Sequence, residues 1–254
     1  MHILVTNDDG VHAPGLLALV EAMRPLGQVT ILAPEHNWSG GGHVKTLHRP
    51  LRVRETTLAD GTPALASDGA PSDCVALALL GRVPPVDLVV SGINTYGNLG
   101  HDVTYSGTVT AAMEAVIAGV PGIAFSLAAD DTTLERDYGP AAEIARRVVA
   151  AAIDAGLTRD LLLNVNVPAI PAAEIRGIRV TRLGLRVYRD KLDERTDPRG
   201  QPYYWIGGEY PTGVPDEGTD FGALHEGYVS IAPLQLDLTN YVMAERIKNW
   251  GLGD

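Results

Sequence analysis

The chain is short of the residues that build disulfide scaffolds, nucleic-acid grips and membrane anchors. Its 254 residues include one cysteine, Cys74. A lone thiol closes no internal disulfide and offers no zinc-finger spacing, so a reducing compartment is expected. Basic residues are scarce: 20 Lys and Arg face 31 Asp and Glu, a formal net charge of −11. Sequence-independent binding of a nucleic-acid polymer needs a basic surface that displaces counterions, which argues against such a partner. A single small phosphate stays within reach, because a metal, backbone N–H groups and a helix N-terminus hold one without net positive charge. Long apolar runs are missing as well. The longest, residues 115–129, is broken by Gly119-Val120-Pro121-Gly122 and falls short of the ~20 residues of a membrane helix. No basic-then-apolar leader pattern opens the chain. We expect a cytoplasmic protein with no membrane partner.

Apolar residues, at 45%, suffice for a substantial core, and no internal repeat is visible. Apolar runs at residues 3–5, 29–33, 87–91, 122–126 and 161–167 alternate with helical patterns opening at Pro14 and spanning residues 72–80, 106–118 and 141–155. Continuous apolar strands alternating with helices predict an α/β fold with a doubly wound, mainly parallel sheet. Past Gly184 the composition changes. Arg186-Val187-Tyr188 and Tyr203-Tyr204-Trp205-Ile206 flank Asp197-Pro198-Arg199-Gly200, which reads as a long β-hairpin turning at residues 198–200. We therefore divide the chain into a core, 1–184, a C-terminal β-hairpin arm with a returning strand, 185–235, and a tail, 236–254. The arm's aromatics are more apolar surface than a free arm should expose, so it is expected to pack on another subunit; the alternative is an arm folded back on its own domain.

In doubly wound sheets the ligand sits beyond the carboxyl ends of the strands, which singles out three loops. The first, Asn7-Asp8-Asp9-Gly10, sets two carboxylates side by side. They resist burial unless a cation or hydrogen bonds compensate, which points to a divalent metal; the alternative is a solvated turn whose acids favour the following helix N-terminus. The second, Asn37-Trp38-Ser39-Gly40-Gly41-Gly42-His43, can bring backbone close to an oxyanion, or can simply be flexible. The third runs from Ser91-Gly92-Ile93-Asn94 through Asn98 to Tyr105-Ser106-Gly107-Thr108. There Ser106 or Thr108 either caps the next helix or holds a phosphate oxygen.

No P-loop or dinucleotide fingerprint occurs. The three loops carry Asp8, Asp9, Asp102, one lysine (Lys45) and no arginine. A phosphate entering there would have to rely on a metal and on N–H groups rather than on arginines. Oxygen donors suit Mg²⁺, Mn²⁺ or Ca²⁺ better than zinc. A magnesium or manganese phosphohydrolase is the physical hypothesis. His12, His36, His43 and His101 also fall in these loops, as proton donors or as exposed residues. Cys74, beside Val75 and Leu77, reads as a core residue.

These residues resemble the SurE family of survival proteins, metal-dependent 5′-nucleotidases. The matching strings are Ile3-Leu4-Val5-Thr6-Asn7-Asp8-Asp9-Gly10, Ser39-Gly40, Ser91-Gly92-Ile93-Asn94, and Tyr105-Ser106-Gly107-Thr108-Val109 with Ala111-Ala112-Met113-Glu114. Further on come Leu163-Asn164-Val165-Asn166-Val167-Pro168, Thr181-Arg182-Leu183-Gly184, Thr219-Asp220 and Gly227-Tyr228-Val229-Ser230. The resemblance implies a Rossmann-like core with a swapped arm, a homodimer or homotetramer, and hydrolysis of nucleoside 5′-monophosphates, with 3′-nucleotides and short polyphosphate as further substrates. Carried over by motif, Asp8, Asp9, Ser39 and Asn94 bind one divalent ion per subunit, Mg²⁺ or Mn²⁺. Asn98, Ser106, Gly107 and Thr108 hold the phosphate. Asp8 and Asp9 are the candidate catalytic residues, through metal-activated water or by direct attack on phosphorus. Three positions depart from the family pattern: Tyr96 stands where glycine is usual, Ala70 replaces threonine, and Lys45 replaces an apolar residue and is a candidate cation for the site. The alternatives to an enzyme of this kind are a non-catalytic nucleotide-binding regulatory module and, further off, a metal-dependent glycosyltransferase.

Overall fold

The computed structural model describes residues 1–129 and 136–252. Strand β1 (His2–Thr6) is buried along its whole length, as expected of an apolar run between two layers of helices. Its side chains alternate between two cores. Ile3 and Val5 join Leu16 and Leu19 of helix α1 (Pro14–Met23), while Leu4 meets the opposite layer with Cys74 and Val75. Period-two alternation of a strand thus divides one continuous apolar run between the two faces.

Strand β2 (Gln28–Pro34) pairs parallel with β1. It is followed by β3 (Val53–Thr57) and β4 (Pro63–Ser67), an antiparallel pair whose second strand joins β2 in parallel. Helix α2 (Pro71–Leu77) then leads to β5 (Leu88–Asn94), which pairs with β1 on its other side. Helix α3 (Gly107–Ile117), β6 (Gly122–Ala128), α4 (Gly139–Ala155) and β7 (Leu162–Pro168) complete the second half. Pro14, Pro71 and Pro140 stand in the first turns of α1, α2 and α4, where a missing N–H costs nothing.

After the short β8 (Ile178–Val180) the chain leaves the core as the hairpin β9 (Arg186–Thr196) and β10 (Pro202–Gly213). This antiparallel hairpin is a separate two-stranded sheet. Helix α5 (Asp220–His225) returns it to β11 (Val229–Pro233), and α6 (Tyr241–Lys248) ends the described chain. The main sheet has nine strands in the order β3-β4-β2-β1-β5-β6-β7-β11-β8. All its pairs are parallel except β3 with β4 and β11 with β7. The sheet order reverses between β1 and β5, the switch point at which such folds place ligands.

The α/β alternation and the hairpin follow the sequence pattern, with differences in detail. The helix expected over 72–80 stops at Leu77 and opens into a wider turn over residues 78–82. Gly81 sits there at φ 108°, which ends regular helix. Strand β5 runs on to Asn94 rather than stopping at residue 91. Strands β3, β4 and β8 carry no clear signal in the sequence, while β11 falls in the segment 185–235 where a returning strand is expected. The β3 sequence Val-Arg-Glu-Thr-Thr is polar because this edge strand is largely exposed. No helix among the described residues is long and apolar enough to cross a membrane.

Candidate active site

The carboxyl ends of β1 and β5 open into a cleft of ≈ 410 Å³, with Asp8, Ser39, Asn94, Asn98 and Ser106 among its lining side chains. A larger hollow of ≈ 660 Å³ lies along β2, β3 and β4, but Glu55 is its one ionisable lining residue. The switch-point cleft is therefore where polar groups converge.

Asp8 follows β1 and is 3% exposed. Thr108 binds both of its carboxylate oxygens: the backbone N–H donates to Oδ2 at 3.0 Å and the hydroxyl donates to Oδ1. Burial nevertheless raises the Asp8 pKa above its ordinary value, with the Thr108 bonds opposing. The Asp9 carboxyl is pushed up to about 6, first by burial and then by the charge of Asp8, while the Thr95 N–H pulls the other way. Two neighbouring carboxylates that both resist ionisation are a site short of positive charge. Asn94, the last residue of β5, donates its Nδ2 to the Tyr96 carbonyl at 2.7 Å, which leaves the amide oxygen as an acceptor at the cleft. The backbone at Tyr96 thus orients Asn94, and Tyr96 itself adds to the cleft lining. Asp8, the Asn94 amide and the Ser39 hydroxyl line the cleft, and Asp9 lies next to Asp8 but outside that lining; these are hard oxygen donors that fit a divalent cation such as Mg²⁺ or Mn²⁺. Among the described residues no group of three His, Cys, Asp or Glu offers a rival metal site.

The four candidate phosphate residues separate into two pairs. Asn98 and Ser106 line the cleft. Ser106 also caps α3, its Oγ accepting the Val109 N–H at 3.1 Å, so capping and cleft lining coexist there. Thr108 and Gly107 instead stand behind Asp8. A Cβ on Gly107 would lie 2.7 Å from the Asp8 Cβ, so only glycine lets the start of α3 approach so closely.

The glycine loop is tied to the core at Trp38 and at Gly42. The Trp38 N–H donates to the Asp8 carbonyl at 2.7 Å, the Gly42 N–H to the Tyr105 carbonyl at 2.9 Å, and Thr110 Oγ1 to the Gly42 carbonyl at 3.1 Å. Lys45 and His43 both bind the buried Glu114 of α3, each at 3.0 Å. Lys45 lines a separate cavity beside α2 and α3, so it is not the cation of the cleft. That role falls to a residue outside all three loops. Arg186, the first residue of β9, lines the cleft with its Nε 2.8 Å from Asp102 Oδ2, and Tyr188 donates to the other Asp102 oxygen. The expectation that no arginine reaches the site is corrected by the arm's return past the loop; nothing local in the sequence signals it. None of the four loop histidines lines the cleft. Ala70, which lacks a capping hydroxyl, donates its N–H to Asp73 Oδ2 at 3.0 Å, and Thr46 donates to the same carboxylate. Cys74 is buried, and burial raises its thiol pKa, which suits a core residue rather than a nucleophile.

Fold and cleft together define a doubly wound α/β protein with a carboxylate, amide and hydroxyl site at its switch point. Residues 3–190 match the family described as Survival protein SurE. The chain belongs to the SurE family. It is 56% identical to 5′-nucleotidase SurE of Herpetosiphon aurantiacus, over 97% of each chain. It is 51% identical to 5′-nucleotidase SurE of Chloroflexus aggregans, over 98% of this chain and 99% of the relative. A crystal structure of the SurE protein from Aquifex aeolicus superposes with a TM-score of 0.80 at 41% identity, covering 98% of both chains.

Proposed function

We propose that this chain is a metal-dependent phosphomonoesterase that hydrolyses nucleoside 5′-monophosphates to nucleoside and phosphate. The observation that carries the reading is the convergence of Asp8, Ser39, Asn94, Asn98 and Ser106 on one cleft in a chain whose full-length relatives are 5′-nucleotidases. Asp8, Asp9, Ser39 and Asn94 would hold one Mg²⁺ or Mn²⁺ per subunit. When bound, that ion supplies the positive charge that the paired acids lack and the Lewis acidity that phosphoryl transfer needs. Asn98 and Ser106 hold phosphoryl oxygens at the opposite wall, with the N-terminus of α3 behind them. Thr108 and Gly107 act one step back, by fixing the Asp8 carboxylate. Arg186, whose charge is paired with Asp102 in the same lining, offers guanidinium N–H groups beside the phosphate, and Tyr96 and Tyr105 give the cleft aromatic surface for the nucleoside.

Both Asp8 oxygens accept hydrogen bonds from Thr108, which lowers their nucleophilicity, so we assign attack on phosphorus to water. Acid quench during turnover should trap no phosphoaspartate; a trapped adduct would reverse that assignment. We extend the substrates to 3′-nucleotides and short polyphosphate. Phosphate release from AMP with Mn²⁺ or Mg²⁺, abolished by EDTA, tests the reading. AMP binding without turnover would leave a regulatory nucleotide-binding module instead.

We further infer a homodimer or homotetramer assembled through the arm of residues 185–235 and the tail of 236–254, with residues 1–184 as the catalytic core. The support is exposed apolar surface on the hairpin, where Leu192 is 67%, Trp205 63% and Ile206 82% exposed. A buried single cysteine accords with a cytoplasmic location.

A further inference from the structure

Two buried side chains have no part in the reading above. Asn164 and Asn166 are both 0% exposed on β7, two residues apart and so on one face of the strand. Burying two amides is costly unless they find partners. Both reach the same residue, Asn98, though the Asn164 amide oxygen stays without a hydrogen-bond partner among the described residues. Asn166 Oδ1 accepts the Asn98 backbone N–H at 2.8 Å, and Asn166 Nδ2 donates to the Asn98 carbonyl at 3.1 Å. Asn164 Nδ2 donates to that same carbonyl at 2.8 Å. The Asn98 side chain in turn donates its Nδ2 to Ser126 Oγ, on β6, at 2.7 Å. Two residues on, the Gly100 N–H donates to Asp220 Oδ2 at 2.8 Å, while Asp220 Oδ1 accepts the Gly184 N–H at 2.8 Å.

A primary amide that takes both the N–H and the C=O of one residue does for that residue what a neighbouring strand would do, and fixes its backbone dihedrals. With the backbone held and one N–H of the side-chain amide spent on Ser126, the second N–H of Asn98 is left for a phosphoryl oxygen. A loop without such support would lose backbone and side-chain entropy on binding, and here that ordering has already occurred.

We propose that Asn166, assisted by Asn164 and Asp220, is a positioning residue that presets residues 98–100 as the phosphate-holding wall of the cleft. The proposal rests on the reading of Asn98 as a phosphate contact. It separates the two walls of the site: Asn166 governs the phosphate side, and the cation side built on Asp8 and Asn94 is independent of it.

The test compares Asn166→Ala with Val165→Ala in the full chain with Mn²⁺ bound. Val165 is buried on the same strand and faces away from Asn98, so its truncation measures lost stability alone. For Asn166→Ala, the calorimetric Kd for inorganic phosphate and the KM for AMP should both rise about tenfold, with Mn²⁺ affinity changed less than about twofold. Val165→Ala should lower Tm while leaving the phosphate Kd in place. Asn164→Ala removes one of two donors to the Asn98 carbonyl and should weaken phosphate about threefold; it carries the test if Asn166→Ala does not fold. Wild-type phosphate affinity in the asparagine variants, or equal weakening in Val165→Ala, overturns the proposal. Wild-type protein that binds phosphate but releases none from AMP removes the enzymatic reading and leaves the calorimetric comparison to judge Asn166. Wild-type protein that binds no phosphate removes both.

Discussion

The wall of the cleft and the far end of the hairpin are both polar stretches rich in turns and strand ends, and they differ in where their groups find partners. Residues 98–108 are bonded back into the core by β6, β7, α5 and Asp8. Beyond its root the hairpin bonds within itself: Arg189 to Thr212, Arg195 to Asp193, and the turn around Asp197. Its apolar side chains meanwhile face outward. A site that must hold charges at fixed distances is built where long-range polar contacts over-determine the backbone. The apolar area that the hairpin leaves unburied is the surface that the proposed assembly would cover.

The contrast can be broken most severely at the cleft. Replacing Asp8 with Asn should abolish AMP hydrolysis by on the order of 10³-fold with an unchanged circular-dichroism spectrum, since the charge is lost and the shape is kept. Steady-state rates check this; residual activity near wild type would move the catalytic centre elsewhere. Truncating Thr108 to Val removes the hydroxyl that orients Asp8, and a loss of about 10–100-fold in activity or metal affinity is expected. A Thr108→Ser variant should recover most of it.

The hairpin should respond in the opposite manner. Deleting residues 188–206 is expected to yield smaller species on a sizing column while calorimetric Mn²⁺ binding persists. An unchanged elution volume would remove the arm from the assembly. A smaller effect concerns pH. The Asp9 carboxyl stands at about 6 when folded, against an ordinary value of 3.8. Its contribution to stability is present below pH 3.8 and is lost as the pH rises to about 6. A bound cation offsets that loss, and below pH 6 it must compete with protons. Mn²⁺ should therefore raise Tm by more at pH 7.5 than at pH 5; equal increments would show that the two carboxylates do not share the ion.

Local pattern in the sequence was enough for the sheet's parallel centre, the hairpin with its turn at residues 198–200, and the carboxylate pair after the first strand. Runs such as residues 3–5 are confined to the interior by their own apolarity, and adjacent acids after a strand have few ways to be buried. Tertiary structure alone decided how those parts combine. Thr108 reaches Asp8 across 100 residues and Asp220 reaches Gly100 across 120. Lys45 is drawn away to Glu114, and Arg186 enters the cleft from the arm. The polar pairings that set these side chains arise when distant strand ends and loops meet, and no period of 2 or 3.6 along the chain encodes such a meeting. The sequence named the donors; the packing of β1, β5 and β7 against α3 and α5 determined which of them face the cleft.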